Sequence, residues 1–276
     1  NFIIFSFRDF TRFIAWLIEL PYNLVLALIS KGFLSGQGQD AIEILSPLSW
    51  MSIIAIIMFM ALYTKDKLLV FLVFFAFLYL AIFGQWKSSM VTLSSIVIAV
   101  PVGVVIGLFL GILSYKSEIL EKIISPVLDL MQTIPVFAYL VPILVMFGFG
   151  PVAALIATII YAMPPMVRTT LLALKNIDPQ IKESGLMSGC TKRQLMWRVL
   201  IPTSKPTLMI GVNQVIMLSL NMVIIASMIG AGGLGYDVLA SLRRLNIGAG
   251  IETGVAIVVL AIALDRLSQA FVNIKT

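Results

Sequence analysis

Histidine is absent from this chain of 276 residues, and Cys190 is its single cysteine. An internal disulfide and a metal site built from Cys and His are therefore excluded. The usual general base of neutral-pH catalysis is missing as well. We assign no catalytic residue and no metal ligand, and we rank a membrane enzyme last among the possible functions.

Charge is also scarce, because Asp, Glu, Lys and Arg make up only 12% of the residues while 60% are hydrophobic. Soluble domains carry roughly twice that share of charge. The composition predicts an integral membrane protein. The net charge of +6 then indicates basic loops beside anionic lipid headgroups rather than a nucleic-acid surface.

Apolar runs recur along the chain at about the length that crosses a bilayer. We read residues 10–29, which contain Arg12, Glu19 and Pro21, as an amphipathic helix on the membrane surface. The predicted spans are 48–63, 68–84, 91–113, 123–147, 151–172, 205–229 and 252–271.

The distribution of basic residues predicts the orientation of these seven spans. One set of loops holds 13 of the 19 Lys and Arg residues, and the other set holds six. Loops rich in Lys and Arg stay in the cytoplasm. The N-terminus is therefore expected outside and the C-terminus inside.

The sequence GAGGLG at 230–235 fits the pattern of a dinucleotide-binding loop. It follows an apolar span rather than a β-strand, so the context that this pattern requires is missing. We interpret the glycines as a sharp turn out of a helix. No G-x-x-x-x-G-K-[ST] sequence occurs in the chain, so we expect no ATP site or other cofactor on it; if the protein uses ATP, a partner subunit must bind and hydrolyse it.

The polar segment 173–204 is predicted to form one or two short amphipathic helices on the cytoplasmic face. It places Glu183, Gly189 and Pro202 at the offsets of the E-A-A-x(3)-G-x(9)-I-x-L-P loop, which it resembles. Ser184 and Gly185 replace the two alanines. In bacterial ABC importer permeases this loop couples to the ATPase. A basic loop lying on lipid is the alternative.

Residues 90–271 as a whole resemble the permease of glycine betaine/proline betaine ABC importers. This resemblance implies an all-α membrane protein with a type I ABC importer permease core at 86–276 and its coupling loop at 173–204. Residues 48–85 would add two accessory helices, and 1–47 an extracytoplasmic or interfacial segment. The resemblance also implies a homodimer, two ATP-binding cassette subunits and a separate external binding protein, in the bacterial inner membrane.

Polar residues inside the predicted spans suggest a path for the solute, because burying them in lipid is costly. Gln214, Met217 and Asn221 fall on one helical face, and Gln132 lies near Pro135 in another span. Uncharged polar walls suit a solute with a fixed cation and a carboxylate. Hydrogen bonding that only joins helices is an equally open interpretation.

Other residues receive structural interpretations. Gly103, Gly107 and Gly111 are spaced for close helix packing. Asp129 is expected to meet a lysine or water, and Asp265 and Arg266 to form a local ion pair at the inner end of the last span. Arg243 and Arg244, in a predicted outer loop, depart from the positive-inside pattern and are candidate contacts for an acidic rim of the binding protein.

The expected function is therefore ATP-driven import of a quaternary-amine compatible solute. A permease of the same class for choline, trimethylamine N-oxide or an amino acid is the first alternative. An ion-driven secondary transporter is the second, although the sequence shows no inverted repeats with broken helices.

Overall fold

The computed structural model describes residues 2–35 and 42–273, and nearly all of these residues are helical. The expected all-α architecture is confirmed. A small antiparallel pair of strands, β1 (Phe33–Ser35) and β2 (Ile42–Leu45), departs from it. The N-terminal helix α1 (Phe2–Leu26) leads to these strands through a π-helical turn, Ala27–Lys31.

Helices follow one another with short connections from residue 50 onward. They are α2 (Trp50–Tyr63), α3 (Lys67–Ile82), α4 (Trp86–Lys116), α5 (Glu118–Thr133), α6 (Val136–Phe147), α7 (Pro151–Ala162), α8 (Pro164–Lys175), α9 (Pro179–Met187), α10 (Lys192–Gln194), α11 (Ile201–Thr203), α12 (Lys205–Ala226), α13 (Leu234–Arg243) and α14 (Ile247–Asn273). A π-helical stretch joins α10 to α11, and another extends α12.

Five helical segments are long and apolar enough to cross a membrane, and a bent pair raises the number to six, among the described residues. The five are Thr11–Lys31, Trp86–Lys116, Pro151–Lys175, Lys205–Ala231 and Ile247–Ala270. Each of the seven predicted spans coincides with helix in the structure. The first two, α2 and α3, are short at 14 and 16 residues.

The predicted span 123–147 is not one straight helix. It is divided between α5 and α6, whose axes differ by 105°. Ile134, between them, has the extended values φ −67° and ψ 130°. Pro135 follows it, and a residue before proline is pushed away from the α conformation. The proline therefore ends α5 and starts the chain in a new direction.

The N-terminal helix packs against the bundle. Tyr22 and Leu26 are buried with Ala99 of α4 and with Leu155 and Ile159 of α7. The opposite side exposes further apolar side chains, among them Phe13, Trp16, Leu17, Leu20 and Leu24. The same exposed side carries Arg12, Glu19 and Asn23, and the amphipathic interpretation of residues 10–29 stays a prediction. The segment Thr11–Lys31 meets the length and hydropathy of a span.

Helix α4 lies at the centre of the fold and approaches α8 closely. A Cβ on Gly107 would lie 2.6 Å from Met166 Cβ, and one on Gly111 would lie 2.5 Å from Thr170 Cβ. Only glycine permits this spacing. The predicted packing role of these two glycines is confirmed, and the partner helix belongs to the same chain. At Gly103 the contact is looser, with Val215 Cγ1 at 3.5 Å.

The GAGGLG segment forms the predicted sharp turn between α12 and α13. Gly230 and Gly233 have φ of 107° and 84°, which side chains rarely adopt. The backbone N–H of Leu234 donates to Thr92 Oγ1 at 3.0 Å. A Cβ on Gly235 would lie 2.1 Å from the carbonyl oxygen of Ile224. The glycines therefore serve backbone geometry and helix contact.

We expect Gly111→Leu to destabilise the bundle by about 1–3 kcal/mol, because the new side chain collides with Thr170 and with the backbone of Val167. Thermal unfolding in detergent measures the loss. Gly254→Leu is the matched control, since nothing lies within 4 Å of a Cβ there. Equal melting temperatures for the two variants would contradict the close approach of α4 and α8.

Candidate functional site

One face of α12 exposes uncharged polar side chains along a helix that is otherwise apolar. Gln214, Met217 and Asn221 are exposed, as is Ile210 one turn earlier. The four lie at intervals of three and four residues, so they form one narrow stripe. From residue 210 to residue 221 the stripe is about 16 Å long at 1.5 Å per residue. We call these four residues the α12 stripe.

The other faces of α12 are used for packing, which fixes the direction of the stripe. Gly211 and Val215 lie against α8 and its neighbours, where a Cβ on Gly211 would lie 2.9 Å from Met166 Sδ. Leu220 and Val223 pack with Ile96 of α4. Because two faces are buried, the stripe is the side of α12 that the described part of the chain leaves uncovered.

Two other polar residues in the middle of α12, Asn213 and Ser219, point inward. Ser268 of α14 donates through Oγ to Asn213 Oδ1 at 3.2 Å. Ser219 is buried, and its hydroxyl has no hydrogen-bond partner within the described residues. The structure thus separates Asn213, which joins two helices, from Gln214 and Asn221, which are free to face a solute or a partner.

Gln132 lies at the exposed end of α5, beside the break. The break is held in place by Tyr139, whose hydroxyl donates to the backbone oxygen of Met131. Met131 packs against the apolar cluster that contains Met222. Gln132 directly follows Met131 in the sequence, and Asn221 directly precedes Met222, which belongs to this cluster. Both side chains are exposed, so both stay candidates for the predicted pathway.

Two ion pairs attach α5 to α8. Arg168 pairs with Asp129, and Lys175 Nζ lies 2.5 and 2.7 Å from the carboxylate oxygens of Glu121. Asp129 thus meets an arginine of a neighbouring helix, whereas the sequence suggested a lysine or water. Arg168, the earlier residue of α8, pairs with Asp129, the later residue of α5. The two helices are therefore antiparallel. Sequence reasoning missed both, because the partners are 39 and 54 residues apart.

The ion pair expected between Asp265 and Arg266 does not form, so that prediction is wrong. Gln269 Nε2 instead donates to both carboxylate oxygens of Asp265, at 2.9 and 2.8 Å. Adjacent residues on a helix point about 100° apart, whereas residues four apart are neighbours on one face. The helical spacing therefore favours Gln269 over Arg266 as the partner.

Helices α9 and α10 form the predicted pair of short helices in segment 173–204. Asp178 caps α9, because its side chain accepts from the backbone N–H of Gln180. Thr191 and Gln194 form a capping box at α10. Gly189 lies between the helices with φ of 78° and open space around its Cβ position. The predicted bend at this glycine is therefore present.

A small buried cluster holds this loop against the ends of the membrane helices. Met196 and Leu200 pack with Ile112 of α4 and with Leu174 of α8. Gly185 is buried under Leu195, whose Cδ1 would lie 2.6 Å from a Cβ. These contacts join α9 and the π-helical stretch to the ends of α4 and α8.

The opposite side of the loop is open. Met187 is 89% exposed and Trp197 is 55% exposed. Glu183, Ser184 and Pro202 are exposed too, so of the five predicted coupling residues only Gly185 is buried. Exposed apolar side chains beside charged ones are typical of a protein contact. A groove of about 510 Å3 runs along α9 here. Its lining residues are Asp178, Gln180, Ile181, Ser184, Gly185, Ser188, Cys190 and Val199.

Residues 103–274 match the family described as "Binding-protein-dependent transport system inner membrane component". This chain belongs to that family. The matched region contains α12, the break between α5 and α6, and the whole of the loop from α9 to α11. The chain is therefore an integral inner-membrane transport component, as the resemblance implied.

Two curated members show how far the similarity extends. The trimethylamine N-oxide transport system permease protein TmoV of Pelagibacter ubique is 41% identical over 96% of this chain and 38% of its own length. The glycine betaine/proline betaine transport system permease protein ProW of Escherichia coli is 48% identical over 68% of this chain and 53% of its own length. The chain thus spans between a third and about half of these relatives.

A solved structure supports the fold of this family member. The MetNI methionine ABC transporter in an inward-facing conformation aligns with a TM-score of 0.62 at 24% identity, over 67% of this chain and 93% of that chain. The match to TmoV covers 96% of the chain. It therefore extends into residues 1–85, where the sequence alone showed similarity only in layout.

The α12 stripe is expected to face water in the assembled protein. With Cys190→Ala as background, we expect Gln214→Cys and Asn221→Cys to react with a membrane-impermeant thiol reagent. Val258→Cys is the matched control, because Val258 is exposed on α14, outside the stripe. Reaction yield is measured by mass spectrometry. Equal protection of all three positions would show that the stripe faces lipid.

Proposed function

We propose that this chain is the transmembrane subunit of an ATP-driven importer for a quaternary-amine compatible solute of the glycine betaine/proline betaine class. The α12 stripe carries the proposal, because it sets Gln214 and Asn221 on an uncovered face within a membrane span. Polar side chains at that depth are costly unless they meet protein, water or solute. With Met217 and Gln132, they form the proposed translocation pathway.

The chemistry of the stripe fits a solute that has no net charge. Glycine betaine carries a fixed cation and a carboxylate, so a pathway without charged side chains passes it without trapping either end. The relatives named for glycine betaine include ProW of Escherichia coli, at 48% identity, and OpuAB of Bacillus subtilis, at 40% identity. Their names support this class of substrate.

Trimethylamine N-oxide is the second candidate substrate. The permease TmoV, named for it, is similar along 96% of this chain. Trimethylamine N-oxide also has a trimethylated nitrogen and no net charge, so the same pathway suits it. The two solutes differ in the carboxylate, which only glycine betaine presents. A direct competition between them therefore decides the substrate.

We further propose that α9 and the residues around Gly189 dock on a separate ATPase subunit. Glu183, Ser184, Gly185, Gly189 and Pro202 would form the coupling site, with exposed Met187 beside them. ATP would bind to that partner. The buried contacts of Met196 and Leu200 give the docked loop a direct mechanical link to α4 and α8.

The assembly implied by the family resemblance completes the proposal. Two copies of the chain would pair with two ATP-binding cassette subunits and receive the solute from a separate extracytoplasmic binding protein. The distribution of basic residues supports an orientation with the N-terminus outside and the C-terminus in the cytoplasm. ATP binding would close the ATPases, move the docked loops and open the pathway outward, and hydrolysis would reset it.

Uptake by the reconstituted complex tests the pathway and the substrate. The tagged chain is purified with its associated subunits from its native membrane, those subunits are identified, and the complex is placed in liposomes. We expect ATP-dependent uptake of radiolabelled glycine betaine, inhibited more strongly by unlabelled glycine betaine than by trimethylamine N-oxide. Gln214→Leu or Asn221→Leu should slow uptake about tenfold, the effect of one lost hydrogen bond.

Ile210→Leu is the matched control, because it changes the α12 stripe without removing a polar group. ATPase subunits should co-purify with all three variants. Normal uptake by both polar variants would remove the stripe from the pathway. Uptake driven by an ion gradient without ATP would identify a secondary transporter instead.

Gly189 provides a separate test of coupling. Gly189→Val should leave the protein inserted but raise the number of ATP molecules hydrolysed per solute imported, because a β-branched residue at φ 78° is strained by about 1–2 kcal/mol. Gly189→Asn is the control, since Asn tolerates this conformation and should keep coupling near normal. An unchanged ratio in the Val variant would contradict the docking role.

A further inference from the structure

We propose that a groove between α3 and α14 binds an anionic phospholipid. The groove has a volume of about 510 Å3. Its lining residues are Leu68, Phe71, Leu72, Phe75, Ala76, Tyr79, Val259 and Ile262. The single polar atom among these side chains, the Tyr79 hydroxyl, lies 3.4 Å from the backbone oxygen of Glu252, to which it donates. What remains is a hydrocarbon surface.

The length of the groove matches one leaflet of a bilayer. From Leu68 to Tyr79 the helix rises about 16 Å at 1.5 Å per residue. The hydrocarbon core of a membrane is about 30 Å thick, so one leaflet accounts for about half of that. An acyl chain that enters at Leu68 therefore ends near Tyr79, where the contact with Glu252 closes the groove.

Three cations lie at the open end of the groove. Lys65 and Lys67 flank the start of α3 and are exposed. Helix α14 runs antiparallel to α3, because Tyr79 meets Glu252 while Leu72 and Ile262 line the groove nearer the start of α3. Tyr79 and Glu252 are at the same depth, because they are in contact. Lys67 lies twelve residues from Tyr79 along α3, and Leu264 lies twelve residues from Glu252 along α14. Exposed Arg266 is therefore at the depth of Lys67.

The carboxylates at this end are already engaged. Asp66 accepts from the backbone N–H groups of Leu68 and Leu69, at 2.9 and 3.4 Å. Asp265 accepts from Gln269. Within the described ranges, the only ion pairs are those of α5 with α8, so Lys65, Lys67 and Arg266 form none. The hydrogen bonds do not remove the charge of Asp66 and Asp265, so three cations and two carboxylates leave a net positive charge at this end for a lipid phosphate.

The two features together select the ligand. An apolar groove of leaflet length would accept the acyl chain of any phospholipid. The net positive charge at headgroup depth favours a lipid with net negative charge, since each Lys or Arg near the surface contributes about fivefold and each carboxylate opposes it. The occupant is therefore a phosphatidylglycerol-like lipid rather than a neutral one.

Native mass spectrometry tests this site. The protein is purified in detergent with equal amounts of phosphatidylglycerol and phosphatidylcholine that carry the same acyl chains. Wild-type protein should retain phosphatidylglycerol preferentially. The triple variant Lys65→Gln, Lys67→Gln, Arg266→Gln should lose this preference, by about fivefold for each cation removed. The control Arg243→Gln, Arg244→Gln removes two exposed cations at the other end of α14 and should keep the preference.

A second pair of variants tests the acyl-chain part of the groove. Ile262→Trp should lower retention of both lipids, because the larger side chain fills the groove. Val258→Trp, exposed on the same helix outside the groove, should not. Equal retention of both lipids by wild-type protein, or an unchanged preference in the triple variant, would overturn the proposal. So would a disulfide between two copies carrying Phe71→Cys in a Cys190→Ala background, since protein would then cover the groove.

Discussion

The close approach of α4 and α8 is the contact on which the rest of the fold depends. It brings Gly107 and Gly111 against Met166 and Thr170 at a distance that excludes any side chain. In a membrane, helices gain little from the hydrophobic effect when they meet, so close van der Waals contact has to hold them together. Both the α12 face around Gly211 and the cluster beneath the loop from α9 to α11 are built on these two helices.

Much of this architecture could be predicted from the sequence, because apolar runs and small-residue spacing depend on nearby residues alone. The stripe of Gln214, Met217 and Asn221 followed from helical periodicity, and the turn at 230–235 from its glycines. The pairs of Arg168 with Asp129 and Lys175 with Glu121 could not be predicted, because they depend on which helices become neighbours. The prediction that Asp265 pairs with Arg266 was wrong, because consecutive residues on a helix point in different directions.

Helix α12 has three faces with different surroundings, and the periodicity of its sequence does not distinguish them. One face packs on α7 and α8 through Gly211, and another meets α4 and α14, where Asn213 is bonded to Ser268. The third face has no partner among residues 2–35 and 42–273. Asn213 and Gln214 are chemically similar neighbours, yet only the arrangement of surrounding helices distinguishes the residue that joins the bundle from the residue that faces outward.

The 105° change of direction at Pro135 has a consequence for the surroundings of that point. The last carbonyl groups of α5 and the first amides of α6 have no partners within their own helices. Irregular backbone at membrane depth persists only where protein covers it or where it borders an aqueous cavity. The irregular backbone between α5 and α6, beside Gln132, is therefore not expected to contact acyl chains. Either a second subunit shields it, or it stands at the wall of a hydrated chamber.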